Sequence, residues 1–178
     1  MTTMTSLKRL TLTGLFAALC CILPVAFHAA GIGSALSPIH IPVLMCGLVC
    51  GGWYGLVCGI IGPILSCVLS GMPPVDKLIY HLPELMVYGF LAGCLMKRLS
   101  VKKHLPRLYL SLVSAMVAGR IAGGVAKTLF YFGTGKSITL AALVSGYFVT
   151  ALPGILCHLV VIPILVMTLY KARMICLD

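Results

Sequence analysis

Apolar residues run along this chain in blocks long enough to cross a bilayer, with glycine, proline and most of the charges gathered between them. The first block runs from Leu10 to about Ala29, and the uncharged, glycine-rich stretch Gly31–Pro38 that follows reads as a loop with a shape to keep. A second, short block covers Ile41–Val49, reaching at most to Val57. The turn Cys50-Gly51-Gly52-Trp53-Tyr54-Gly55 separates it from a third that ends near Leu69. Gly71-Met72-Pro73-Pro74-Val75-Asp76-Lys77 breaks the pattern again. The fourth block covers about Leu82–Met96, the fifth about Leu108–Phe132 and the sixth about Thr139–Leu169. Since a spanning helix needs roughly 20 apolar residues, this pattern predicts an all-α membrane protein with six transmembrane helices in one domain, residues 1–178.

Composition strengthens that reading. Hydrophobic residues make up 61% of the 178 positions and charged ones 9%, far more apolar surface than a water-soluble domain of this size could hide. Lys8 and Arg9 precede the first block as they would in a cleavable signal. The apolar run to Ala30 is too long for a typical signal core, however, so it is expected to be a retained first helix. Eight of the nine cysteines (Cys20, Cys21, Cys46, Cys50, Cys58, Cys67, Cys94, Cys157) lie in apolar segments without the spacing of a disulfide framework or a zinc site, and read as small packing residues.

The net charge of +10 does not point to nucleic acid, because the basic residues fall at helix ends of a greasy chain. Nine Lys and Arg lie on the face that holds both termini and the 97–107 loop, whereas the opposite loops carry Lys77 and Lys136. The positive-inside rule therefore puts both termini in the cytoplasm and leaves the loops around 28–39, 71–81 and 132–138 outside.

The candidate chemistry lies in polar residues that are expensive to keep in lipid. An ionised side chain near the middle of a membrane helix costs roughly 2.5–3.5 kcal/mol on insertion scales, so each one calls for a partner or a polar cavity. Glu84, Arg120 and Lys127 meet that description. Arg120 and Lys127 are two turns apart on one helical face, and Glu84 at the outer start of the fourth block can neutralise one of them. The surplus cation suits an outward cavity for a carboxylate or other electron-rich nutrient. The competing reading is that Lys127 snorkels to the interface and Arg120 pins helices through carbonyls. His28, His40, His81 and His158 lie in or beside spans, with no His-x-x-x-His pair to indicate a metal. The first three can converge at the outer mouth as ligands for a polar substrate. On the first helix Gly14, Ala17, Ala18 and Cys21 form a stripe of small residues, which serves close helix packing either within the chain or with a partner.

Several ordered motifs carry a family resemblance. They are Leu36-Ser37-Pro38-Ile39-His40-Ile41-Pro42-Val43-Leu44, Cys46-Gly47-Leu48-Val49-Cys50-Gly51 with Tyr54-Gly55 and Gly59, Gly71-Met72-Pro73-Pro74, and Glu84-Leu85 with Tyr88-Gly89. Together they resemble the substrate-binding S components of energy-coupling factor (ECF) vitamin transporters, from the first helix to Pro153-Gly154 and Pro163 in the last. The resemblance implies a six-helix S-component bundle in a bacterial or archaeal cell membrane, capturing one water-soluble vitamin between its outer loops and the outer ends of its later helices. His28, His40, His81, Glu84, Tyr88, Arg120 and Lys127 are then the expected substrate-binding residues. It also implies no catalysis and no cofactor, with a membrane scaffold subunit and two cytoplasmic ATPases as partners. Gly14, Ala17, Ala18 and Cys21 fall where the family's Ala-x-x-x-Ala-like scaffold contact would lie.

The chain has no phosphate-cradling Gly-x-x-x-x-Gly-Lys-Ser/Thr loop, so ATP-driven uptake needs a partner. Nickel and cobalt members use an N-terminal Met-His start, and this chain begins Met1-Thr2-Thr3, which disfavours metal transport. The surplus cation makes pantothenate, or another carboxylate-bearing vitamin, the expected cargo. Two other functions stay open. A self-sufficient carrier or channel is disfavoured by the short second and third blocks and by the lack of an inverted repeat of broken helices. An intramembrane enzyme lacks a paired-carboxylate, Ser/His or His-x-x-x-His signature.

Overall fold

The computed structural model describes residues 4–31, 33–101, 103–135, 139, 145 and 151–175. Its helices are α1 (Ser6–Ala29), α2 (Gly33–Leu36), α3 (His40–Cys50), α4 (Gly52–Ser70), α5 (Val75–Arg98), α6 (His104–Gly133) and α7 (Leu152–Lys171). Of these, α1, α4, α5, α6 and α7 are long and apolar enough to cross a membrane, and α3 is a shorter apolar helix of 11 residues. The chain is a helical membrane bundle, as the block pattern predicts.

The bundle is built around α3. Every residue of α3 is buried. Helices α1, α4, α5 and α7 pack on it, and α5 also packs closely on α4 and α6. Outward faces are apolar instead of polar: Leu7 and Ile22 on α1, Val68 on α4, Leu129 on α6 and Val160 on α7 are all exposed. Such a surface suits lipid, which solvates apolar side chains as readily as the core does.

Glycines let the central helices touch backbone to backbone. A Cβ added at Gly47 or Gly55 would collide with the Gly89 carbonyl, and one at Gly89 with the Gly55 carbonyl, so α3, α4 and α5 meet with no side chain between them. Gly59 on α4 faces the Leu85 carbonyl in the same way. Association in lipid relies on this kind of close van der Waals contact.

The boundaries differ from the block pattern in three places. The break between α3 and α4 is a single residue, Gly51, whose φ of 109° only glycine adopts readily; Gly52 already begins α4. Helix α5 starts at Val75, directly after Pro74, seven residues ahead of the apolar block, because Asp76, Lys77, Tyr80 and His81 dilute the hydropathy without ending the helix. The stretch expected to be all loop between Gly31 and Pro38 contains the one-turn helix α2, which packs on α1 and α7. Most of the residues from 136 to 150, including Lys136 and the start of the sixth block, lie outside the described residues.

The start of α1 and the segment after α7 meet at one end of the bundle, where Lys8, Val49, Leu169 and Ile175 line one small hollow. Lys97 lies beside Gly51 at this end too, and Tyr170 on α7 meets His104 on α6 at 3.3 Å. The α1–α2 and α4–α5 connections occupy the far end. The eight described cysteines are free thiols. Cys20, Cys46, Cys50 and Cys58 are buried between α1, α3 and α4, with the Cys46 thiol 3.7 Å from the Thr13 hydroxyl.

Candidate functional site

Lys77, His81, Glu84 and Tyr88 follow one another at spacings of four, three and four residues. This places them on one stripe of α5 running from the far end into the bundle. Glu84 is the centre of the arrangement and is wholly buried. The Tyr88 hydroxyl donates to Glu84 Oε1 at 2.8 Å from one turn below. Arg120 on α6 brings Nε to 3.5 Å from the same oxygen, and His40 at the start of α3 brings Nε2 to 3.5 Å. His81 Nδ1 stands 3.7 Å from Glu84 Oε2. Three helices thus contribute to one buried carboxylate.

The sequence of α6 makes room for this cluster. A Cβ at Gly123 would press on the Glu84 carboxylate, and one at Gly119 would overlap the Tyr88 ring. Gly119 and Gly123 flank Arg120 at a four-residue spacing and give its helix a flat face where α5 is most crowded.

Above the cluster the far end opens into a cavity of about 360 Å³. Its wall includes His28 from α1, Ser37 before α3, Met72 and Pro73 from the α4–α5 loop, and Lys77 from the first turn of α5. The loop is tied down by the Ser66 hydroxyl, which donates to the Met72 carbonyl at 2.6 Å. His40 and His81 are in the lining and form the floor, directly over Glu84. His40 Nδ1 is 2.9 Å from the Ser37 carbonyl, which can only accept, so that nitrogen carries the hydrogen. His40 Nε2, His81 Nδ1 and Glu84 Oε2 are buried, and none has a hydrogen-bond partner among the described residues. Buried polar atoms are ordinarily satisfied, so a cluster of exceptions beneath a cavity marks a place built for more than packing.

The sequence-derived candidates therefore separate into layers. His28, His40 and His81 line the cavity. Glu84, Tyr88 and Arg120 form the layer beneath its floor. Lys127 is elsewhere, its ammonium 5.7 Å from the Tyr80 ring centroid and 5.8 Å from that of Tyr131. Arg120 is the cation that Glu84 takes, and the expected leftover positive charge is not at the cavity floor.

Four contributors were not among those candidates. Lys77 lines the cavity although its sequence context marks it only as a loop charge. His158 on α7 is buried with its ring centroid 5.7 Å from that of His40. Its signal was a polar residue in the most apolar helix, the same signal that picked out Glu84. Gly119 and Gly123 were visible as a small-residue spacing beside Arg120. Although three histidines and a glutamate lie close together, no group of His, Cys, Asp or Glu among the described residues is arranged to hold a metal ion.

The small-residue stripe of α1 faces mainly away from the bundle. Phe16, Cys20 and Pro24 make the inward face. Gly14 and Ala18 are exposed, and a Cβ at Gly14 would meet nothing within 4 Å. Ala17 and Cys21 are half-buried at its edge, Ala17 towards Gly62 of α4.

No curated protein and no solved structure matches the chain. A family model does: the one described as the substrate-specific component of ECF transporters matches residues 8–170, nearly the full length. A membrane bundle with a cavity at one end over a buried polar cluster is what a capturing subunit requires, and the chain belongs to the substrate-specific components of ECF transporters.

Proposed function

We propose that this protein captures a small water-soluble vitamin in the cavity at its far end, with that end facing outside the cell, for uptake powered by its partners. As a substrate-specific ECF component it binds cargo without transforming it and works with the ECF scaffold and ATPase modules. The observation that carries the vitamin reading is the cavity itself. It is of small-molecule size, bounded by loops and floored by His40 and His81 over the Glu84 cluster. Pockets that bind small molecules combine a mostly apolar wall with a few placed polar groups, and Met72, Pro73 and Ile39 supply the apolar part here. The excess of basic residues at the end holding the termini supports the orientation.

Pantothenate, or another vitamin of similar size with a carboxylate, is the preferred cargo. The support is the sign of the charge at the mouth, since Lys77 is the cavity-lining residue with a permanent charge among those described. Arg120 and Glu84 largely cancel below. The stripe Gly14, Ala17, Ala18 and Cys21 is proposed as the contact with the scaffold subunit, supported by the outward exposure of Gly14 and Ala18.

Native mass spectrometry of the detergent-purified protein against a vitamin panel tests the capture. One vitamin is expected to be retained, with a Kd of about 1 μM or tighter, corresponding to roughly −8 kcal/mol, and His81→Ala should weaken it at least tenfold. Retention of none, together with solute flux through liposomes that lack any ATPase, would replace capture by the carrier or channel reading.

A further inference from the structure

The cavity has two chemically different ends, and the difference constrains what fits between them. At the floor, His40 Nε2 and His81 Nδ1 are buried polar atoms without hydrogen-bond partners. Glu84 stands immediately behind them at 3.5 and 3.7 Å. An anionic group at this floor would face the Glu84 carboxylate across one imidazole, and the nearest compensating cation, Arg120, is already in contact with that same carboxylate. Like charges so placed repel strongly where water is scarce. A hydroxyl or amide meets no such objection, because it can donate to His40 Nε2, which is left an acceptor when Nδ1 carries the hydrogen, and can either donate to or accept from His81.

The rim is the reverse. Lys77 is exposed, lines the cavity and has no ion-pair partner among the described residues. Asp76, its neighbour in sequence, is not in the lining. Lys77 and His81 are one turn apart on the same face of α5, about 6 Å along the axis, and the lysine side chain extends the separation. The rim can thus hold a carboxylate at a distance from Glu84 at which repulsion has faded.

Resting on the capture reading above, we propose that the cargo is bipolar and bound lengthwise, with a neutral hydrogen-bonding end at His40 and His81 and its carboxylate at Lys77. Lys77 is then the residue that selects the acid over its neutral counterpart. Arg120 and Lys127, the cations that stand out in the sequence, do not make that choice.

Matched pairs test this. Isothermal titration of the full chain with pantothenate and pantothenol, biotin and its amide, and nicotinate and nicotinamide compares each acid with a neutral partner of nearly the same shape. The wild type should prefer the acid of one pair. Lys77→Gln should lower affinity for that acid roughly tenfold while leaving the neutral compound unchanged, so that the preference disappears. His81→Ala should weaken both members of the pair equally. An acid preference that survives in Lys77→Gln, or a wild type that prefers the neutral member of the pair it binds, overturns the proposal and leaves vitamin capture standing. If the wild type binds no acid or neutral member of any pair, and retains no other vitamin, the capture reading falls and this one with it.

Discussion

Helix α5 behaves differently at its two ends. Around Gly89 it is in backbone contact with the buried Gly47 of α3 and Gly55 of α4, and nothing can be added. Two turns towards the far end, around His81 and Glu84, the same helix meets its neighbours through polar side chains 3.5–3.7 Å apart, some without hydrogen bonds. The first region is held by shape alone and has no tolerance. The second is held by charge as well as by close packing, and opens into the cavity. For the proposed capture of a small molecule, the first region supplies an unyielding base and the second supplies the polar groups beneath the cavity.

Each side of that comparison can be broken. The largest effect is expected from Gly89→Leu. Overpacking a core commonly costs 1–3 kcal/mol, and an insertion against backbone, which cannot move aside, should exceed that range and abolish a monodisperse folded species in size-exclusion chromatography. A normal elution profile would mean that the helices do not touch. Next, Glu84→Ala should destabilise by about 3–5 kcal/mol, because it leaves Arg120 buried without its carboxylate. Adding Arg120→Met should recover part of the loss, and denaturation of the two single variants and the double variant measures the coupling. Tyr88→Phe removes a hydrogen bond to a charged acceptor and is expected to lower stability by about 1.5–3 kcal/mol in the same assay. Lys127→Met should cost about 0.5–2 kcal/mol through its aromatic contacts and leave vitamin affinity unchanged. A large drop in affinity would bring Lys127 back into the site. The smallest effect on the isolated chain is expected from Gly14→Leu, which enters open space. Its melting temperature and ligand binding should match the wild type, and co-purification with the scaffold subunit should be lost.

The spans were legible because the bilayer imposes a length and a polarity on every crossing segment. The shortness of α3 was legible too, from the close sequence of apolar block and glycines at Ile41–Gly51. The early start of α5 was not. Hydropathy reports lipid exposure, and in the first turns of α5 Lys77 and His81 face the cavity instead. At the site, the cost of burying charge singled out Glu84 and Arg120, and they do meet. The same argument put Lys127 on the face of Arg120 and left one of the two cations over; Arg120 meets Glu84, and the Lys127 ammonium lies over the rings of Tyr80 and Tyr131. Lys77 went unnoticed for the opposite reason. A lysine in a loop is inexpensive, and only the folded arrangement turns it towards the cavity. The glycines of the family motifs, Gly47, Gly55, Gly59 and Gly89, prove to be places where helices touch, which explains how a motif can mark a superfamily and say little about its cargo.

With 11 residues, α3 is about 16 Å long, roughly half the hydrocarbon thickness of a bilayer. His40, its first residue, is part of the cavity floor, and the whole length of α3 beneath it is buried. Below His40 the cavity is closed by the buried side chains of α3. On the capture reading proposed above, the short central helix makes the cavity closed at its floor, so the isolated subunit holds a solute without passing it on.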